Sequence, residues 1–426
     1  VSNILATKYR KGTSFNVAYP TLPVLTVQPR RIDIYQKQYH HDIVTLEYSA
    51  VSTLWFENLH TGVPITFAWT QDTITKYWTG YVSSVTKVDA PQTQTSMTVM
   101  AIGTSFVLKE RATRTFKDST ITEAVQVIAE ENGFKFIGDA HSVRFKQLLI
   151  PGMSYWLWIN EQAKRIGYGV IVDGPNFMFR RIDKLIDQSF SVTPILSMGS
   201  KNIPFNTQFL DRTLDMLTVI NGDNIEENTD FRTIKNVGGV DPTTSAVFLS
   251  SSSPDETGVN LRTNTAGVLF KEFRSDRVAN TQVMADAEAS GAAQNARFNL
   301  PAKATAQGDP RIRPFSTVYV SGTGDKTDGY WFVKEAHHML HKIGDYMMDL
   351  TLATDGSEEV IETPFRSRGT SIIGTIDVGE ALANNGTQNL YFELNEIKLV
   401  SKDLVLKSGD QTWANTNTYW TAVGGR

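Results

Sequence analysis

The sequence predicts a mainly β chain with a small helical α/β module set into it, and three observations carry the prediction. Runs of β-branched and aromatic residues at period two fill the first hundred residues. A capping box opens a helical period at residue 120. A Gly/Asp-rich octapeptide joins two clear strands beyond residue 316.

The first strands are the plainest. Val63, Ile65, Phe67 and Trp69 fall on one face of Val63–Trp69. Asp42–Tyr48, Thr73–Val82 and Ser96–Ile102 are of the same kind, and turn-forming clusters at 58–62 and 89–92 separate them. Strands at this spacing suggest a sandwich or a small barrel. The pattern changes near Lys117. Thr120 and Glu123 form a capping box, each side chain satisfying a free backbone N–H. Ile121, Ala124, Val125, Ile128 and Ala129 follow at helical spacing, and Gly133 stands where a left-handed residue ends a helix, so a helix is expected over 121–132. A second is expected after Ser154, carrying Trp156, Leu157, Ile159, Ala163 and Ile166 and stopping at Gly167, with short strands 169–172 and 176–179 after it.

Strands return after residue 195, as in Thr213–Ile220. The stretch 222–265, rich in Asn, Asp, Thr, Ser and Gly, reads as long loops. A third helix is expected over 278–298, with Ala285, Ala289, Ala292, Ala293 and Ala296 allowing close packing and Gly291 weakening it by about 1 kcal/mol. Thr317–Ser321, Tyr330–Val333 and Tyr346–Leu352 are strands. Beyond Pro364 the composition shifts to Gly, Asn, Thr and Ser with scattered strands such as Glu396–Val400. The domains expected are therefore 1–116, 117–195, 196–365 and a C-terminal extension, 366–426, that orders against a partner. No short-period repeat stands out.

Composition excludes several classes. The 426 residues contain no cysteine, which removes disulfides, thiolate metal sites and cysteine nucleophiles. A formal charge of −4 is poor for gripping nucleic acid through its phosphates. No apolar run is long enough to span a membrane, and Val1–Leu5 lacks the pattern of a secretory signal.

Side chains that could carry chemistry have plainer readings. His337, His338 and His341 are the best metal-like cluster, but neighbours on a strand face opposite ways, so only His337 and His341 could share a face. Structural residues at a strand end are the preferred reading, and His40-His41 is a weaker case still. Glu130 and Glu131 are adjacent and do not face one cleft as a glycosidase pair must. Asp309–Arg313 is a short charged turn. The cluster Tyr155, Trp156, Trp158 and Ile159 is core or a partner-facing patch, and core is the commoner case. Lys109, Arg111, Arg114 and Lys117 read as a solvated connection. No nucleophile elbow, P-loop, zinc-protease or dinucleotide motif is present. No catalytic, cofactor-binding or metal-binding residue is assigned, and no enzyme activity is expected.

Two segments resemble the phage tail baseplate hub family, which includes the late control protein D and the hub part of type VI secretion spike proteins. The first is Thr98–Gly103, Leu108-Lys109 and Ser119–Gly133, followed by a helix with Ser154, Trp158, Ala163 and Gly167. The second is Ala285–Ala296, Gly308–Pro314, Val318–Gly322, Gly329–His337 and Gly344–Leu352. The resemblance covers about residues 30–360. Phe315-Ser316 departs from it, standing where a Gly would follow the Pro, and 366–426 has no counterpart.

The resemblance implies two tube-like β-barrels per chain, over 1–116 and 196–365, and a homotrimer forming a pseudo-sixfold ring. Such a ring adapts a sixfold tail tube to a threefold tip or spike and lets DNA pass without specific binding. The partners implied are the tail tube protein and the tip or spike protein, with the tape measure, baseplate wedge or distal tail proteins as further candidates. The location implied is the virion tail baseplate, after assembly in the host cytoplasm. A hub of a phage-derived contractile or secretion machine is the alternative, and a hub with a cell-wall hydrolase or glycan-binding role is a weaker one.

Overall fold

The computed structural model describes residues 13–22, 27–49, 57–71, 74–89, 96–190, 193–198, 211–219, 233–240, 244–245, 247–252, 270–279, 281–298, 300–323, 327–342, 346–354, 389–392 and 397–400. The chain divides into two compact units, 1–201 with 208–358, and 202–207 with 359–426.

In the first unit, six strands make the first sheet: β1 (Ser14–Ala18), β2 (Arg31–Lys37), β3 (Ile43–Ser49), β4 (Pro64–Gln71), β5 (Ile74–Val88) and β6 (Ser96–Gly103). They run in the order β1-β4-β5-β6-β3-β2 and curl around a core of Ile32, Ile34, Leu46, Tyr48, Ile65, Phe67, Trp69 and Met97. The Gln28 side chain clasps the free edge of β1, accepting from Val17 N–H and donating to Val17 O at 2.7 and 3.0 Å.

A module follows, built of β7 (Arg111–Thr120), α1 (Ile121–Glu131), β8 (Lys135–Gly138), β9 (Arg144–Ser154), α2 (Tyr155–Ile166), β10 (Tyr168–Asp173), β11 (Asn176–Arg181) and α3 (Ile182–Phe190). Both expected helices form as their caps dictate. Thr120 Oγ1 accepts from Glu123 N–H, Ser154 Oγ from Leu157 N–H, and Gly133 and Gly167 take φ of 81° and 71°. Of the basic stretch read as a solvated connection, Lys109 ends a short 3-10 turn, and Arg111, Arg114 and Lys117 lie in the strand β7, paired antiparallel with β9. Its Ala112, Arg114 and Phe116 are partly covered, while Arg111, Thr113, Thr115 and Lys117 stay in water.

The second sheet uses β12 (Ile195–Met198), β13 (Asp211–Val219), β17 (Leu300–Gln307), β18 (Thr317–Ser321), β19 (Gly329–His341) and β20 (Tyr346–Thr354). The order β19-β18-β12-β13-β17-β20 closes through β19–β20 into a six-stranded barrel. Leu196, Leu214, Val318, Val320, Trp331, Met348, Leu350 and Leu352 fill it, with Ala302, Ala304 and Ala306 on β17.

The β13–β17 connection carries β14 (Thr233–Val240), β15 (Val247–Ser252), β16 (Phe270–Ala279) and α4 (Gln282–Arg297). Two expectations change here. The stretch read as loops contains β14 and β15, and Ser250–Ser252 lie in a strand because β14 supplies their partners; the rest of 222–265 lies almost wholly outside the described residues. The third helix starts at Gln282, since Val278 and Ala279 belong to β16 and Thr281 is the cap. Gly291 lets α4 lie against α2: a Cβ there would stand 2.6 Å from Arg165 O. In the second unit β21 (Asn389–Phe392) and β22 (Ile397–Val400) form an antiparallel hairpin; the remainder of 366–426 lies outside the described residues.

The two six-stranded sheets repeat one plan. The order β2-β3-β6-β5-β4-β1 corresponds to β13-β17-β20-β19-β18-β12. The long strands β5 and β19 break register at the same place, after Val82 and after Val333, each with one extra residue. Gly62 N–H donates to Val82 O and Val82 N–H to Val63 O; Phe315 N–H donates to Val333 O and Val333 N–H to Ser316 O. Gly62 and Phe315 both hold a left-handed backbone, with φ of 92° and 68°. Two differences remain: β12 runs parallel to β18, whereas β1 runs antiparallel to β4, and β12 pairs with β13, whereas β1 and β2 do not pair among the described residues.

Phe315 thus occupies the position where glycine was expected, and its buried ring packs on Phe332, Leu185 and Tyr39. Gly62 has no such anchor, and a Cβ there would meet nothing within 4 Å. Gly62→Ala is therefore expected to cost about 1–2 kcal/mol from backbone conformation alone. A urea-unfolding midpoint unchanged by the substitution would contradict this account of the turn.

Candidate functional site

Pairing of β2 with β19 joins the two sheets into one of twelve strands, and its outward face is continuous across both halves. Cross-strand register sets one row across eight strands: Tyr81, Ile102, Ile43, Tyr35, His337, Asp349, Thr305 and Met216. Beside it runs Lys37, Glu335, Thr351, Lys303 and Thr218. Much of this surface borders an open groove of about 550 Å³.

The face is polar but nearly balanced. Asp33, Glu47, Glu335 and Asp349 stand against Arg31, Lys37 and Lys303, a formal charge of −1 with histidines neutral. Most charges are held by neighbours. Lys37 Nζ lies 2.5 Å from Glu335, which also accepts from Thr351 Oγ1 at 3.0 Å. Asp33 accepts from Arg31 Nη2 at 2.9 Å and lies 3.1 Å from His337 Nε2, while Thr305 donates to Asp349 at 2.7 Å. Burial alone would raise the Asp33 carboxyl, but the bonds to His337 and Arg31 outweigh it and hold its pKa below the usual range. The His337 ring stacks on Tyr35 at 3.9 Å.

The three histidines do not converge. His337 and His341 share the outer face of β19, as expected, and His338 points inward and is fully buried. No group of three or more His, Asp or Glu side chains among the described residues is arranged to hold a metal ion. His338 instead belongs to a buried polar chain between the two sheets. Trp69 Nε1–H donates to Tyr346 Oη at 3.1 Å, Tyr346 Oη–H to His338 Nδ1 at 2.9 Å, and His338 Nε2–H to Ile312 O at 3.0 Å. The carbonyl can only accept, so Nε2 carries the proton and Nδ1 the lone pair.

Asp309, read from sequence as part of a short charged turn, has no exposed surface. Its carboxylate accepts from Arg311 N–H and Nε–H, each at 2.9 Å, and lies 3.1 Å from Arg212 Nε. Nothing in the sequence near Asp309 signals this, because Arg212 arrives from β13.

The remaining candidates pack or pair within the chain. Trp156 and Trp158 are buried, Trp156 stacked on His41 at 4.6 Å and Trp158 donating to Leu149 O at 3.1 Å. Glu131 pairs with Arg114 at 2.6 Å and Glu130 accepts from Gln126 at 2.8 Å. No helix among the described residues is long and apolar enough to cross a membrane.

No protein-family model matches the sequence, and no curated protein does. Solved structures do match. The 43 kDa tail protein of prophage MuSo2 from Shewanella oneidensis superposes with a TM-score of 0.58 at 12% identity, over 81% of this chain and 99% of that one. A tail protein from Neisseria meningitidis gives 0.55 at 12% identity, over 81% and 98%. Identity this low speaks to fold alone: the chain has the fold of these phage tail proteins, a mainly β architecture with tube-like barrels.

Proposed function

We propose that this chain is a structural hub of a phage tail baseplate, and that three copies form a ring of six barrels between a sixfold tail tube and a threefold tip. The observation that carries the reading is the repeated plan of the two sheets, down to the extra residue in β5 and β19. A chain holding two equivalent barrels, repeated three times, meets sixfold contacts on one side and threefold contacts on the other. The outward face of the shared sheet is the channel wall. With a formal charge of −1 and most cations held by carboxylates, it offers a passing polyanion little to grip. The tail tube and tip proteins are the partners, the virion tail is the location, and no reacting group is required.

The test is the absolute mass of the purified chain by light scattering, with negative-stain images of the same peak. Particles of three copies with a central hole are expected. A closed particle of two or four copies would overturn the reading.

A further inference from the structure

The joint between the two sheets has a counterpart edge in each sheet that no other strand among the described residues covers. On β19, residues 329–332 pair with β18, and on the same edge Glu335–His341 pair antiparallel with β2. The equivalent strand β5 pairs with β4 over Ile74–Tyr81, and no described strand pairs with that edge beyond it. The equivalent of β2 is β13. Its edge pairs with β12 only over Asp211–Leu214, and no described strand pairs with that edge over Asp215–Val219.

We propose that β5 of one copy pairs antiparallel with β13 of a second copy, repeating between chains the β19–β2 joint within the chain. The inference rests on the ring reading and names the strands that close it. The shared register fixes the partners. Matching the two breaks in register makes Val88 the counterpart of Met339 and Lys87 that of His338. Matching the neighbouring strands makes Thr218 the counterpart of Asp33 and Val219 that of Ile34. Met339 faces Asp33 and His338 faces Ile34, so Val88 should face Thr218, and Lys87 should face Val219.

Burial agrees with a missing neighbour. Ile32 and Ile34, covered by the joint, are 0% exposed. Their counterparts Leu217 and Val219 remain partly exposed, and Val88 and Met216 are 55% and 50% exposed. Lys87 takes the place of buried His338 and brings a counter-ion, Asp89, at 2.7 Å. An open strand edge bordered by apolar side chains is a template for pairing, and a second copy carries the matching edge.

The absence of cysteine makes the test clean. Opposed residues of an antiparallel pair lie about 4.5–5.5 Å apart at Cα, within disulfide range. Val88→Cys with Thr218→Cys, oxidised and run without reductant, should give covalent species ending at three chains and returning to one on reduction. Val88→Cys with Met216→Cys, two residues out of register, should give little. Lys37→Cys with Glu335→Cys, facing each other within one chain, should close without a change in mass and reports that oxidation worked. Three-copy particles by light scattering without the Val88–Thr218 link, while the control closes, would overturn the strand pairing and leave the ring standing. A chain that neither associates nor cross-links overturns both.

Discussion

Replacing Asp309 with alanine is expected to cost about 3–5 kcal/mol of stability, as removal of one partner from a buried ion pair does. The carboxylate has no exposed surface, and Arg212 is only 4% exposed. Burial alone would raise the Asp309 carboxyl. The bond from Arg311, with the charges of Arg311 and Arg212, more than reverses this and holds its pKa below the ordinary range. Taking the carboxylate away leaves the Arg212 guanidinium in the barrel wall facing Arg311 with nothing between them. The check is a urea-unfolding midpoint for Asp309→Ala beside Asp309→Leu with Arg212→Met. The double variant removes both charges and should recover much of the loss, because desolvation of the ions is removed with their attraction. A loss below about 1 kcal/mol in the single variant, the scale of a solvated surface pair, would mean that the cluster is wet.

Local chemistry was legible in the sequence and distant pairing was not. Thr120 with Glu123, Ser154, Gly133 and Gly167 place two helices because a cap acts within one turn of the residue that makes it. The strand β7 was missed because its partner β9 begins at Arg144, and because its basic residues suggested a solvated connection. Ser250–Ser252 fell in the stretch read as loops, because serine is neutral enough to follow whatever partner β14 supplies. The histidines were separated correctly into two faces by strand geometry alone. The row from Tyr81 to Met216 could not be found that way, since it joins eight strands through their registers. The duplication left no repeat in the sequence because its marks are made by the backbone. Gly62 and Phe315 share a left-handed conformation, and Ser83 and Lys334 share the place of an extra residue, with no side chain in common.

Acid should weaken the joint between the two sheets through His338. Burial depresses its pKa from 6.5 to about 4, while the Ile312 carbonyl and the Asp309 charge pull the other way. A histidine kept neutral in the fold and free to protonate when unfolded contributes stability that is fully present above pH 6.5. That stability is lost as the pH falls towards 4, a total of about 3 kcal/mol. Geometry adds to burial: a proton on Nδ1 would take away the acceptor of the Tyr346 hydroxyl, whose oxygen already accepts from Trp69. Asp42 works in the opposite sense. Burial raises its carboxyl to about 6, so its cost grows as the pH rises from 3.8 to 6 and shrinks as the pH falls. The wild-type profile sums these with the other shifted groups, His41 among them, whose pKa burial lowers to about 4, so the contribution of His338 is read by comparison with His338→Gln, which cannot titrate. Unfolding midpoints from pH 7.5 to 4 should fall more steeply in the wild type than in His338→Gln, with the gap opening below pH 6.5. Parallel profiles would mean that His338 reaches water, and that the chain from Trp69 to Ile312 is not the dry link between the sheets that its distances describe.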